Sequence, residues 1–231
     1  MKNIYDNNYM KILILGALNQ EISTLYKLLN AKYINDIYFA NVNKNEIYLA
    51  VTGVGIMNAT LSTIKLINQI NPDVVINIGT AGSHKIDIKD GDIIICDKAI
   101  YHGGYVLNGS SISNSEMMLD TFLIHSGDKK MSKLINQIKV DTNIYHGATL
   151  SGDFFTKDVE TIKSLNNKYH HLCEDMETIA IYNVCNKEKI PAIAIRIISN
   201  NELLGTKYED NNLKVNIKLQ SIIAQLLNHL K

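Results

Sequence analysis

The chain has 231 residues, 46% of them hydrophobic, with 13 Gly and only 2 Pro, enough to build one substantial core. Its 23 basic and 23 acidic residues cancel, so neither a nucleic-acid stripe nor a charged membrane-surface patch is expected. No apolar run reaches the roughly 18 residues of a membrane-spanning helix, and the polar start MKNIYDNNYM lacks the apolar segment of a signal peptide.

Residues 1–9 read as a short disordered lead-in, and 10–231 as a single domain. Met10–Gly16 is a continuous apolar run ending in Gly, the pattern of a strand buried on both faces. A helix follows, with Asn19 as its N-cap and Glu21 in its first turn. Glu21 then lies at the C-terminal edge of the first strand, where ligands collect in open α/β sheets. Local sequence alone also allows a carboxylate that merely faces the helix dipole. Ile37–Val42 and Glu46–Val51 read as a hairpin. Thr52-Gly53-Val54-Gly55 leads into a helix over 56–70, with Met57, Leu61, Ile64 and Ile67 at helical spacing.

Residues 74–82 form a second buried strand running into a loop at Thr80, and Gly91–Cys96 a third. The Gly- and Ser-rich stretch 101–115 reads as a loop or lid containing His102, and a helix is expected within 115–137. Gly147–Gly152 is another strand, followed by Asp153-Phe154-Phe155 and a helix over about 158–167. Glu174-Asp175-Met176-Glu177 opens the next helix, with Met176, Ala180 and Val184 on its core face. Ala192–Ile198 is the last buried strand, 199–212 a polar loop, and the chain closes on an amphipathic helix with Leu219, Ile222, Ile223, Leu226 and Leu230 on one face. Strands alternating with helices, most strands continuously apolar, predict a three-layer α/β/α sandwich around a central mixed sheet.

Cys96, Cys173 and Cys185 lack metal-ligand spacing and read as buried, reduced thiols of a cytoplasmic protein. The seven His also show no ligand spacing, with His170-His171 in a polar connection, so no metal and no cofactor are expected. Arg196 is the sole arginine, kept inside an apolar strand of a chain that otherwise uses Lys. Its planar, always-charged fork is what Lys cannot reproduce at a bidentate site. Gly16 and Gly53-Val54-Gly55 lack the full dinucleotide-binding fingerprint, which disfavours an oxidoreductase.

Taken together, KILILGALNQE (11–21), VTGVGIMNA (51–59), PDVVINIGTAG (72–82), Gly91–Asp97, LSGDFF (150–155), DMETIAIYNVC (175–185) and Pro191–Asn200 resemble the purine nucleoside phosphorylase/nucleosidase superfamily. The resemblance is strongest to the methylthioadenosine/S-adenosylhomocysteine nucleosidase branch and runs in order from residue 10; only 103–146 matches poorly. It implies a small-molecule purine nucleoside as substrate, and a homodimer in which a partner loop helps to close the 5′-pocket. By resemblance, Glu177 takes the ribose hydroxyls and Met176 packs under the sugar. Glu21 orients a hydrolytic water, with Arg196 and Thr80 as partners. Phe155 stacks on the purine, while Thr156 and Asp153 belong to the base-binding segment. Asp175 and Glu174 read as local caps or supporting groups.

Asn200 stands where the family carries the acid that protonates purine N7, and an amide delivers no proton near neutral pH. Several readings stay open: an adenine nucleosidase tuned differently, an enzyme for 6-oxopurine nucleosides, a nucleoside binder with weak turnover, or an acid supplied by Glu202. Phosphorolysis needs an anion site, usually with arginines. The one Arg is already assigned and Glu21 would repel phosphate, so hydrolysis is favoured.

Overall fold

The computed structural model describes residues 9–103, 105–108, 111–114 and 124–230. The expected lead-in lies outside them except for Tyr9, as do residues 115–123 of the expected helix-bearing stretch.

The strands are β1 (Lys11–Gly16), β2 (Lys32–Ile34), β3 (Ile37–Val42), β4 (Asn45–Val51), β5 (Val74–Ser83), β6 (Ile93–Tyr101), β7 (Tyr105–Asn108), β8 (Ser111–Asn114), β9 (Ile124–Ser126), β10 (Ile144–Ser151), β11 (Cys173–Asp175) and β12 (Ala192–Asn201). The helices are α1 (Ser23–Leu28), α2 (Ile56–Ile70), α3 (Lys129–Ile135), α4 (Val159–Tyr169), α5 (Thr178–Glu188) and α6 (Tyr208–His229). Among the described residues, ten strands form one mixed sheet in the order β11-β10-β6-β12-β5-β1-β4-β3-β2, with β9 on β6; β7 and β8 pair separately. β11 bonds in parallel to β10 and antiparallel to β5, so β5, β12, β6, β10 and β11 close into a ring.

The three layers follow from the period of two along each strand. Ile12 and Ile14 of β1 join a core with Leu25 of α1, Met131 of α3 and Leu219 and Leu226 of α6. Leu13 and Leu15 face the opposite core, with Ala59 and Leu66 of α2 and Ile181 and Val184 of α5. All four are fully buried, each contributing about 1.5–3 kcal/mol of burial free energy.

Five local expectations are corrected. Glu174 and Asp175 lie in β11, not in a helix; α5 starts at Thr178 because the Asp175 side chain accepts from the Glu177 and Thr178 amides and ends the extended segment there. Met176 therefore precedes the helix. Asn19 is not an N-cap: Asn19–Glu21 is a single 3₁₀ turn, and its leading Leu18 amide is satisfied by the Glu21 carboxylate. The polar loop predicted for 199–212 is strand to Asn201 and helix from Tyr208, and Thr80 sits within β5 rather than in a loop. Finally, Met57 and Leu61 are 74% and 63% exposed, because α2 buries Ala59, Thr63, Leu66, Ile67 and Ile70 instead.

Candidate active site

The C-terminal ends of the parallel strands β1, β5 and β12 open onto a cavity of about 320 Å³. It is lined by Glu21, Thr80, Phe155, Thr156, Met176, Glu177 and Asn200 among the sequence-predicted residues. Arg196 and Asp153 are not part of its lining.

Against the cavity lies a buried ion pair, with Asp175 reaching the lining and Arg196 behind it. Arg196 Nε donates to Asp175 Oδ2 at 3.2 Å, and Nη2 donates to Thr178 Oγ1 at 2.8 Å and to Asn77 Oδ1. Asn77 in turn donates to the Leu15 carbonyl at 3.0 Å, tying β5 to β1. Asp175 also accepts from Thr149 Oγ1 (2.9 Å), Ser151 Oγ (2.8 Å) and Thr178 Oγ1 (2.6 Å). Burial opposes its charge, but the Arg196 guanidinium and these donors outweigh that and hold the carboxyl below its usual range. The guanidinium is thus committed to the ring of strands.

Glu21 is buried at the end of β1. Its Oε2 accepts from the amides of Ala17 (2.6 Å) and Leu18 (3.0 Å), and its Oε1 from that of Thr80 (3.1 Å). The expected Thr80 partnership is made by the backbone. Arg196 contributes at longer range: a Cβ on Gly79 would come within 2.6 Å of Arg196 Nη1 and 2.7 Å of Glu21 Oε1, so only glycine lets both approach. Burial raises the Glu21 carboxyl above its ordinary value, with Arg196 and the three amides pulling the other way.

Glu177 leads into α5, and its Oε1 accepts from the Gly55 amide at 2.9 Å. Gly55 has φ +91°, and a Cβ there would lie 2.6 Å from Asp153 Oδ1, so position and contact both demand glycine. Asp153 itself accepts from the Ile56 amide at 2.8 Å, at the N-terminus of α2. The structure thus places it on the glycine turn, outside the cavity lining. Burial pushes the Glu177 carboxyl up to about 7, with Asp175 and Glu21 adding to the shift and Arg196 and Gly55 opposing it.

At the opposite end, Phe154 and Phe155 stand half exposed on the rim, with Lys157 Nζ 5.3 Å from the Phe155 ring centre. Below them is a polar cluster that sequence reading did not assemble. Glu174 Oε2 accepts from the Thr156 amide at 2.7 Å, and Oε1 accepts from Thr156 Oγ1 at 2.8 Å. His102 Nδ1 lies 3.3 Å from Oε1 and His84 Nε2 3.8 Å from Oε2. His84 Nδ1 meets His171 Nε2 at 2.7 Å. Burial drops His84 to about 4 and, together with His84 itself, His171 to about 2, so both rings are neutral. Burial opposes the charge on Glu174, yet His102 and Thr156 hold its carboxyl below the usual range. Asn200 closes the wall: its Oδ1 accepts from Ser199 Oγ at 3.0 Å and its Nδ2 donates to Glu202 Oε1 at 3.3 Å. Among the described residues, no three His, Cys, Asp or Glu are disposed to hold a metal ion.

The family model described as "Phosphorylase superfamily" matches residues 11–230, and the chain belongs to that superfamily. A curated relative from Buchnera aphidicola subsp. Schizaphis graminum, named 5′-methylthioadenosine/S-adenosylhomocysteine nucleosidase, is 32% identical over 94% of this chain and 96% of its own. The nucleosidase of that name from S. pneumoniae, solved with the transition-state inhibitor MT-ImmA, superposes with a TM-score of 0.82 at 23% identity, over 96% of this chain and 100% of that one. A futalosine hydrolase of Helicobacter pylori matches at 0.80 and 20%, over 94% and 97%. These structures share the fold.

Two outcomes follow from the buried charges. Asp175→Asn leaves Arg196 uncompensated and is expected to cost about 3–5 kcal/mol in urea unfolding; an unchanged midpoint would refute the frame role. The native state holds the Glu177 proton more tightly than the unfolded chain does. The stability linked to it is therefore complete below pH 4.5 and is lost as pH rises through about 7. Glu177→Gln is expected to be more stable than the parent at pH 8, by about 2 kcal/mol, with the gap closing toward pH 5. Thermal melts at both pH values test this.

Proposed function

We propose that the protein hydrolyses the N-glycosidic bond of a purine nucleoside, the relatives' names pointing to 5′-methylthioadenosine and S-adenosylhomocysteine. The observation that carries this reading is the pair of buried carboxylates, Glu21 and Glu177, on the lining of one cavity. Glu177 accepts from the ribose hydroxyls and Met176 packs under the sugar. As the bond to the base breaks, the sugar becomes cationic, and carboxylates in a site of low polarity stabilise that charge. Glu21, fixed by three amides, takes a proton from the water that captures the sugar. Phe155 covers the purine and Asn200 donates a hydrogen bond at its N7/C6 edge, where charge builds on the leaving group. Arg196 acts as a positioning residue behind Asp175.

Hydrolysis is supported over phosphorolysis because the single guanidinium is engaged with Asp175, Asn77 and Thr178 beneath the cavity, while the cavity itself presents Glu21. A second reading, a 6-oxopurine nucleoside, is favoured by Asn200, whose amide can donate to an oxo group.

Incubation with methylthioadenosine, S-adenosylhomocysteine, inosine and futalosine, with and without phosphate, is expected to release free base without phosphate. Glu21→Gln is expected to slow kcat by at least about 100-fold. No base from any substrate would sink the enzyme reading, and strict phosphate dependence would sink hydrolysis.

We also propose a homodimer. The Met57–Leu61–Ile64 stripe of α2 is an exposed apolar face next to the Gly53–Gly55 turn that touches Glu177. Leu61→Lys is expected to shift sedimentation toward the monomer; a parent chain that already sediments as a monomer would end this reading. The buried free thiols of Cys96, Cys173 and Cys185 fit a reducing cytoplasm, and no described helix is long and apolar enough to cross a membrane.

A further inference from the structure

The base end of the cavity has a fixed hydrogen-bond polarity. Glu174 on β11 and Asn200 on β12 flank the same residue of β5, since both pair with Gly82. Two strand spacings separate their backbones, roughly 10 Å, with a glycine between them. Both side chains line the cavity.

Each side chain is oriented by its neighbours. The Asn200 oxygen is held by the Ser199 hydroxyl, and its nitrogen faces Glu202, a carboxylate that can only accept at neutral pH. That pairing sets which way the amide points and leaves its second N–H as the group offered to a ligand. On the other side, the amide of Thr156, a residue of the expected base-binding segment, is taken by Glu174 at 2.7 Å. The ligand therefore meets a carboxylate oxygen where a backbone N–H would otherwise stand. Thr156 Oγ1 and His102 fill the other oxygen, while Oε2 takes the Thr156 amide as its hydrogen bond, with His84 Nε2 at 3.8 Å, beyond hydrogen-bond distance, so it can accept a further donor.

A donor at Asn200 and an acceptor at Glu174 complement a purine edge that carries an acceptor at C6 and a donor at N1. A 6-oxopurine has O6 and N1–H in those places. Adenine has the reverse, an amino donor at C6 and a lone pair at N1, which would face the carboxylate. We infer that Glu174 is the residue that sets base preference, selecting 6-oxopurine over 6-aminopurine nucleosides through the ring N1–H. This rests on the nucleosidase reading and decides between its two base classes.

The test compares kcat/KM for 5′-methylthioinosine and 5′-methylthioadenosine, which differ only at the N1/C6 edge. The inosine analogue is expected to lead by at least about tenfold, because a site built to pair with an N–H leaves its acceptor unmatched by the other base. Glu174→Gln can turn an amide N–H toward N1 and is expected to shrink that ratio by a similar factor. Preference of the parent protein for the adenosine analogue overturns the inference, as does a ratio unchanged in Glu174→Gln. If neither nucleoside is cleaved, the hydrolase reading fails by itself. Calorimetric binding of hypoxanthine and adenine to the parent chain then decides the base question, tighter hypoxanthine supporting it and tighter adenine overturning it. The same comparison stands if Glu174→Gln does not fold.

Discussion

The ion pair between Arg196 and Asp175 is the constraint on which the rest of the site depends. Six donors converge on one buried carboxylate: the guanidinium, the Thr149, Ser151 and Thr178 hydroxyls, and the Glu177 and Thr178 amides. They join β10, β11, α5 and β12 at one point. A buried pair of this kind contributes little net stability against an apolar replacement, but leaving one partner alone is costly. Its effect is therefore geometric. It places Glu177 at the start of α5 and, through Asn77, sets β5 against β1, where Glu21 is anchored.

Glu21 and Glu177 are held differently from Asp175. Asp175 is saturated with donors and stays charged. Glu177 has the Gly55 amide and a distant guanidinium, and is raised by burial. Glu21 has three amides yet still rises, because it is fully enclosed. Asp175 is electrostatically settled while Glu21 and Glu177 are not. That is the expected condition of a site whose charges find their partners in a substrate and its transition state.

Much of this was legible in the chain. β1, β5 and β12 are continuous apolar runs because both faces are covered, and α2 spans the residues its spacing indicates. Glu21, Thr80, Met176, Glu177, Phe155 and Asn200 reach one cavity as the ordered motifs imply. What was not legible depends on contacts distant in sequence. His84 and His171 are 87 residues apart, and His102 reaches Glu174 over 72. Neither contact has a local pattern; the sequence offered only His102 within a loop or lid and His170-His171 in a polar connection. The start of α5 was misplaced because Asp175 is an excellent cap in isolation, and only the ring of strands draws it into β11. On α2 two apolar stripes compete, and periodicity alone does not say which one meets the sheet.

β11 is three residues long and hydrogen-bonded on both sides, so its side chains alternate strictly between the two faces. The Glu174 side chain binds Thr156 and His102 at one end of the cavity, and that of Asp175 binds Arg196, Thr149 and Ser151. Adjacent codons thus govern unrelated properties. Exchange at 174 bears on the base end of the cavity and its Thr156–His102 cluster, while exchange at 175 bears on the ring of strands.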